Sequence, residues 1–514
     1  VNQYDILLCT LNSTYQHSSF GLRYLYANLA ELKERAYILE STIKENPRNF
    51  VEKILGFKPR IVGFSVYIWN TLETLETIMI LKKIRPQTII VLGGPEISYE
   101  TENQEHLKWA DYVIKNEAEF LFREFCFDIL VREKKPSTQI ISGALPEIKQ
   151  IVMPYNLYSE DDIKNRVIYV EASRGCPYKC EYCLSSLDKS VRSFDLDLFL
   201  IEMKNLLDRG VRTFKFVDRT FNLSPSTSTR ILKFFLEHSK LGLFLHFELV
   251  PDRLPIEIRD LIKLFPEGSL QFEVGIQTLN PIVAQNISRK NDMTKVAENF
   301  QFMREHTHVH THADLIVGLP SETFESFAKG FDELSAYGPD EIQVGILKRL
   351  KGTPIARHEK TFKMVYSEAP PFQILSTSSM DYVTLQKMNR FAKFWDLYAN
   401  SGEFKNFVTW IKENDSNKSF FYKFFDFSEY LSASFSDTHS LSLITLAERA
   451  WSYMITQGAS EEAATELIEK DYCYGAKRRD TPPFLKKHRQ QNTDLVASSK
   501  TKNSLNSRQL KHLN

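Results

Sequence analysis

Short apolar runs rich in β-branched and aromatic residues alternate with amphipathic helical stretches in two successive blocks, and this alternation most restricts how the chain can fold. Over residues 1–134 the order is "YDILLCTLN", "GLRYLYANLAELKER", "AYILEST", "RIVGFSVY", "TLETLETIMILKKI", "TIIVLGG", "ADYVIKN" and "EAEFLFREFCFDILVRE". Five strand runs separated by helical ones predict an α/β domain with a doubly wound parallel sheet. Such sheets bind ligands beyond the carboxyl ends of their strands, which directs attention to "NSTYQHSS" (12–19), "SVYIWN" (65–70) and "GGPEIS" (93–98). No GxGxxG follows the first strand, which argues against a dinucleotide site.

Residues 135–164, with Pro136, Gly143, Pro146 and Pro154, read as a linker. From 165 to 360 strand signals return at "RVIYVEAS", "RTFKFVDRTF", "LFLHFELVPDR", "LQFEVGIQT", "HVHTHADLIVGLP" and "EIQVGILKRL". Six βα units are too few for an eight-stranded barrel, so an open, partial (β/α)6 barrel is expected, with its site at the C-terminal ends of the strands. Residues 361–476 are aromatic-rich helical text, expected to form a helical C-terminal domain that supplies part of a substrate pocket. Residues 477–514 are polar and basic, the composition of a disordered tail. Lys plus Arg and Asp plus Glu both number 65, so net charge makes no case for nucleic acid, and no apolar run approaches a bilayer span. The first residues lack a basic region leading into an apolar stretch, and a cytoplasmic location is expected.

Three of the six cysteines cluster in "ASRGCPYKCEYCLSS" (172–186) as Cys176, Cys180 and Cys183, while Cys9, Cys126 and Cys473 are scattered. This is unlike a disulfide framework. Cys9 and Cys126 read as buried apolar filler, and Cys473 as a packing residue rather than a hydrogen donor or cluster contact. Soft thiolates suit an iron–sulfur cluster, zinc or copper(I). Zinc needs a fourth ligand, for which the sequence offers only the distant Cys473 or His246. A cubane on three cysteines leaves one iron open. The alternating His306, His308, His310 and His312 would share one face of a strand, too extended for a single ion, with His312 in the barrel interior near Asp314.

A CxxxCxxC motif with Tyr182 before its last cysteine, after the first strand of a partial barrel, resembles the radical S-adenosylmethionine (SAM) enzymes. "FKFVDRTFN", "FLHFELVPDRL", "FEVGIQT", "HADLIVGLPSET" and "LKRLKGTPIAR" resemble that superfamily's strand-end motifs, in order. The N-terminal domain makes the resemblance closer to the cobalamin (B12)-binding branch, whose N-terminal domain is flavodoxin-like. "LNSTYQHSSFGLRYL", "YVEASRGCPYKCEYCLSS" and "YANSGEF" are similar to a subgroup with an uncharacterised helical C-terminal domain (DUF4080-like).

The resemblance implies a 4Fe-4S cluster on Cys176, Cys180 and Cys183, and SAM bound at the open iron and cleaved reductively to a 5′-deoxyadenosyl radical. It also implies cobalamin, and methyl transfer to an unactivated carbon of an unidentified small-molecule or peptide substrate. An electron donor such as flavodoxin or ferredoxin is implied as partner. Cobalamin-dependent rearrangement or cyclisation, and a non-catalytic cluster or corrinoid carrier, stay open. An RNA methylthiotransferase would need three more clustered cysteines in the N-terminal domain, where only Cys9 and Cys126 stand, so a nucleic-acid partner is not expected.

For SAM the resemblance points to Tyr182 near the adenine, Asp218 near the ammonium, Glu248 at the ribose and Gln277 facing the site. Asp218 has the alternative reading of a turn or cap residue. Arg253 either meets the SAM carboxylate or pairs with Asp252 or Glu257. For cobalamin it points to Asn12, Ser65, Gly93 and Gly94, with His17 either under the corrin or in a hydrogen-bonding role. The Asp-x-His-x-x-Gly signature is absent, and Asp437-Thr-His439 is a decoy followed by Ser442. In "KNEAEFLF", Asn116 and Ala118 replace two glycines of the family's pattern, leaving tail contacts near Glu117 open.

Overall fold

The computed structural model describes residues 3–434, 441–473 and 480–486. Its first sheet contains β1 (Ile6–Asn12), β2 (Ala36–Thr42), β3 (Ile61–Ser65), β4 (Ile89–Gly93), β5 (Tyr112–Ile114) and β6 (Ile140–Ile141), all parallel in the order β2-β1-β3-β4-β5-β6. β1 is buried along its whole length because helices cover both faces, which is why its text is continuously apolar. Ile6 and Leu8 enter one core with Phe122 and Cys126, while Leu7, Cys9 and Leu11 enter the other with Phe50 and Ile78. Cys9 and Cys126 therefore lie on opposite sides of the sheet, and burial pushes both thiols up. β6 is a correction to the five-strand expectation. It comes from the stretch read as linker, and two residues are too few to carry a periodic signal.

β7 (Ile168–Val170) opens the second sheet. A two-residue antiparallel pair follows, β8 (Ser173–Arg174) with β9 (Arg192–Ser193), and then β10 (Thr213–Phe216), β11 (Phe244–Leu249), β12 (Leu270–Gln277), β13 (His310–Val317) and β14 (Glu341–Ile346). The sheet runs β7-β10-β11-β12-β13-β14, each pair parallel, which is an open six-stranded barrel. Open barrels have two edges that need cover. At one, Val167 N donates to Gln16 O (2.9 Å) and Ser18 Oγ to Val167 O (3.2 Å), so the loop after β1 caps the start of β7. At the other, Ile342 N donates to Asn400 Oδ1 (3.1 Å), and Asn400 Nδ2 and Trp395 Nε1 donate to Ile342 O (3.0 and 2.8 Å). The "YANSGEF" stretch thus seals the last strand.

Helices Tyr382–Trp395, Lys405–Glu413, Phe420–Ser434, Leu443–Thr456 and Glu461–Cys473 form the C-terminal part. Phe391, Trp395 and Phe421 crowd Phe331 of the barrel helix Phe324–Tyr337, and barrel and helices share one apolar core. The expected tail starts later than 477: Leu485 is fully buried and Phe484 stacks on Trp451 at 4.9 Å. The remainder of that tail, and Asp437 and His439, lie outside the described residues. No helix among the described residues is long and apolar enough to cross a membrane.

The histidine tract is not one strand. His306 ends the helix Met293–His306, His308 precedes β13, and only His310 and His312 are on it. His310 meets Glu341 at 3.0 Å, and His312 Nε2 stands 3.7 Å from Asp314 Oδ1.

Candidate functional site

The cysteine loop turns at Gly175, whose φ of +92° is left-handed and where a Cβ would fall 1.8 Å from Ser190 O. Only glycine fits there. Cys176, Cys180 and Cys183 all line one cavity of about 200 Å³ over the C-terminal ends of β10 to β13, together with Tyr182, Arg219, Glu248, Glu273, Gln277, Arg289 and Asp314. Among the described residues, no three His, Cys, Asp or Glu side chains converge on a single ion. Three soft thiolates lining one cavity suit a cluster whose ligands are spread over several irons. Burial pushes the Cys176 thiol up, and the charges of Cys183 and Cys180 add to it. Cluster binding must therefore displace a proton.

Three carboxylates face the same space. Arg219 Nη1 donates to both oxygens of Glu248 (2.9 and 3.2 Å). Burial works against ionisation of Glu273, yet the hydrogen bond and charge of His246 at 2.9 Å, with Lys215 and His312, hold it well below the usual range. Asp314 is pushed well above its usual range by burial and then by Glu273 and Glu248, and its Oδ1 is buried without a hydrogen-bond partner. Gln277 sits on a bulge where β12 shifts register against β13, with φ +72°. Strain of this kind at a cavity wall is a mark of a functional position.

Two of the SAM residues expected from the sequence lie elsewhere. Asp218 points away from the cavity: it is buried and accepts from Ala172 N (3.0 Å) and Ser173 Oγ (2.6 Å), so it ties β10 to the start of the cysteine loop. Arg253 borders a separate pocket with Asn222, Arg259 and Lys295, because it lies in the turn beyond β11. The cavity instead receives Arg219, Glu273, Arg289 and Asp314, which the sequence reading did not select. Arg289 Nη1 donates to Cys180 Sγ (3.4 Å) and Tyr182 Oη (3.1 Å).

The Asp218 carboxyl is pushed up to about 7 by burial, against the pull of its Ser173 and Ala172 bonds. A raised carboxyl contributes stability that is complete below its unfolded value and is lost as pH rises through the folded one. The thermal midpoint of the wild type, relative to Asp218→Asn, is expected to fall by a few degrees between about pH 4 and about pH 8. Parallel pH curves for the two proteins would contradict this placement of the charge.

A second cavity, of about 280 Å³, opens at the ends of β3, β4 and β5, between the helices Phe20–Ala27 and Glu119–Leu130. Ser65, Gly93 and Gly94 line it. Gly94 has φ +103°, and a Cβ there would meet Val66 O at 2.6 Å. At Gly63 a Cβ would press on Leu8 and Phe122 at 3.3 Å. This trough, lined by small and apolar residues together with Glu117, Glu119, Glu171 and Arg174, fits an elongated cofactor tail. Asn12 and His17 do not line it: Asn12 Nδ2 donates to Glu40 (2.7 Å), and His17 Nδ1 lies 2.6 Å from Tyr169 Oη. Asn116 replaces a glycine of the family's pattern at φ +65°, a conformation asparagine tolerates. Glu117 is engaged by Arg174 and Arg192.

Arg174 lines the second cavity and Cys176, two residues on, lines the first. Among the described residues, neither cavity is lined by any from the helical C-terminal part.

Three family models match in succession: "B12 binding domain" over residues 6–125, "Radical SAM superfamily" over 170–334 and "Protein of unknown function (DUF4080)" over 360–513. The chain is a cobalamin-binding radical SAM protein. Within that class it is one whose barrel is followed by a DUF4080 region. An uncharacterized methyltransferase of Pyrococcus horikoshii is 24% identical over 61% of this chain and 73% of its own length. The cobalamin-dependent radical SAM methyltransferase TokK of Streptomyces tokunonensis is 24% identical over 66% of this chain, which spans about half (54%) of that relative. The structure of the radical SAM methyltransferase TsrM from Kitasatospora setae, with cobalamin and a 4Fe-4S cluster bound, shares the fold with a TM-score of 0.58 at 16% identity, covering 72% of this chain and 78% of that one.

Proposed function

We propose that the chain is a cobalamin-dependent radical SAM methyltransferase acting on an unactivated carbon. The observation that carries this reading is that one short stretch serves both cavities: Arg174 lines the glycine-floored trough and Cys176, two residues on, lines the thiol-lined cavity. Groups held in the two would be close enough to act on one substrate. The methyltransferase names of the relatives support the reading.

Cys176, Cys180 and Cys183 would hold the cluster, and the Gly63, Ser65, Gly93 and Gly94 trough the cobalamin tail. When bound, cluster and SAM supply reductive cleavage to an adenosyl radical, and cobalamin supplies a methyl carrier. Arg289 presents a guanidinium beside the cysteines, suited to a carboxylate. Glu248 and Glu273 set negative charge opposite it, suited to the cationic centres of SAM. Asp314, pushed above its usual range by burial and by Glu273 and Glu248, places a third carboxyl group in the same space. Tyr182 and Gln277 close the sides. An external one-electron donor is required, and a cytoplasmic setting, where thiols stay reduced, suits the clustered Cys176, Cys180 and Cys183.

One relative, an anaerobic magnesium-protoporphyrin IX monomethyl ester cyclase of Rubrivivax gelatinosus, 22% identical over 56% of this chain, favours a second reading, cyclisation without methyl transfer. Product analysis after anaerobic turnover with a reductant separates the two. S-adenosylhomocysteine together with 5′-deoxyadenosine is expected; deoxyadenosine alone would exclude methylation, and neither product would leave a carrier.

A further inference from the structure

Glu181 stands between Cys180 and Tyr182 and is 3% exposed. An acid beside a cluster of thiolates is an unfavourable neighbour unless other groups hold it. Three segments do. Its carboxylate accepts from Ser288 Oγ (2.6 Å) and from Arg357 Nη2, and meets His358 Nε2 at 2.8 Å. Its backbone N–H donates to Ile287 O (3.1 Å), and its carbonyl accepts from Ile355 N (2.9 Å).

Ser288 is left-handed, at φ +55°, and is followed directly by Arg289. The Arg289 guanidinium returns to the same loop, donating to Cys180 Sγ, to Tyr182 Oη and to Gly275 O. Glu181, Ser288, Arg289 and Cys180 thus close a ring in which a carboxylate on one side of the cysteine loop holds the turn that aims a cation at a sulfur on the other.

We infer that Glu181 is a positioning residue that sets the reduction potential of the cluster, through the Ser288 turn and the Arg289 bond to Cys180; the inference rests on the cluster reading above. A hydrogen bond and a positive charge on a ligand sulfur stabilise the more negative, reduced state and raise the potential. Releasing the turn removes both.

The test uses the full chain, reconstituted anaerobically, with iron content and a redox titration followed by electron paramagnetic resonance. Glu181→Ala and Ser288→Ala are expected to keep their iron within about twofold and to titrate at more negative potential, in the same direction as Arg289→Met. Glu181→Gln, which keeps an acceptor for Ser288, is expected to shift less. Iron-loaded Glu181→Ala and Ser288→Ala at the wild-type midpoint would overturn the inference while leaving the cluster reading intact. Should Glu181→Ala lose its iron, Ser288→Ala decides, since it cuts the same bond from an exposed side chain. A wild-type chain that takes up no iron would overturn the cluster reading and this inference with it.

Discussion

Alanine at Cys176, Cys180 or Cys183 is expected to lower bound iron from about four per chain toward zero and to abolish reductive cleavage of SAM. All three thiols line one cavity, and no fourth cysteine is near enough to substitute: Cys9 and Cys126 are locked in the two cores of the first sheet, and Cys473 ends the helix Glu461–Cys473. Losing one ligand therefore leaves a cluster with two protein bonds. The controls are Cys9→Ala and Cys126→Ala, which remove a buried sulfur and cost about 1 to 2 kcal/mol of stability without touching the cavity. Iron analysis and deoxyadenosine release measured on all five variants decide the matter. Full iron in a single-alanine variant of the cluster would remove that cysteine from the ligand set.

Why some cavity residues were legible and others were not comes down to strand parity. Glu248 and Gln277 were found because they follow strand runs at recognisable ends. Asp218 was chosen over Arg219 because it is the acid at the end of β10, but successive residues of a strand face opposite sides, and one step reverses the assignment. Phe214 and Phe216 point to the helices, so Asp218 shares their side, and Lys215 shares its parity with Arg219, which lines the cavity. The same count, made from Gln277 back to Glu273 and from His312 forward to Asp314, would have found both missing carboxylates. Arg289 had no such signal. It sits in a turn between two helices, where no strand fixes direction, and only tertiary structure brings it to Cys180.

The first domain divides in the same way. Ser65, Gly93 and Gly94 end strands whose apolar text is unmistakable, and they border the trough. Asn12 and His17 also follow a strand, but Glu40 and Tyr169 already bind them. Asn12 bonds within its own sheet, while His17 serves the joint between domains, a demand that no local pattern displays. The helical C-terminal part was legible as helix because its apolar faces repeat at helical spacing. Its place was not, because the bond between Asn400 and Ile342 spans 58 residues and joins an amide side chain to a strand edge.

Replacing Arg174 by methionine is expected to destabilise the protein by about 3 to 5 kcal/mol, the usual cost of stranding buried charges. Its Nη1 donates to Glu117 (2.8 Å) and Glu119 (2.7 Å), and its Nε to Glu171 (2.9 Å), while the guanidinium lies 4.5 Å over the ring of Tyr24. Glu117 retains Arg192, but Glu119 and Glu171 are 4% and 7% exposed and have no second cation among their ion pairs. Burial already pushes the Glu171 carboxyl up, against the pull of Arg174, so without the arginine it rises further. The deficit should then be largest at neutral and higher pH and shrink as acid protonates Glu171, the sign required of a group whose folded value is raised. Arg174→Lys should recover only part of the loss, because one ammonium cannot reproduce the fork that serves three carboxylates. Thermal midpoints of the three proteins across pH measure this. A methionine variant as stable as the wild type at pH 8 would mean that Glu119 and Glu171 are held by something other than this arginine.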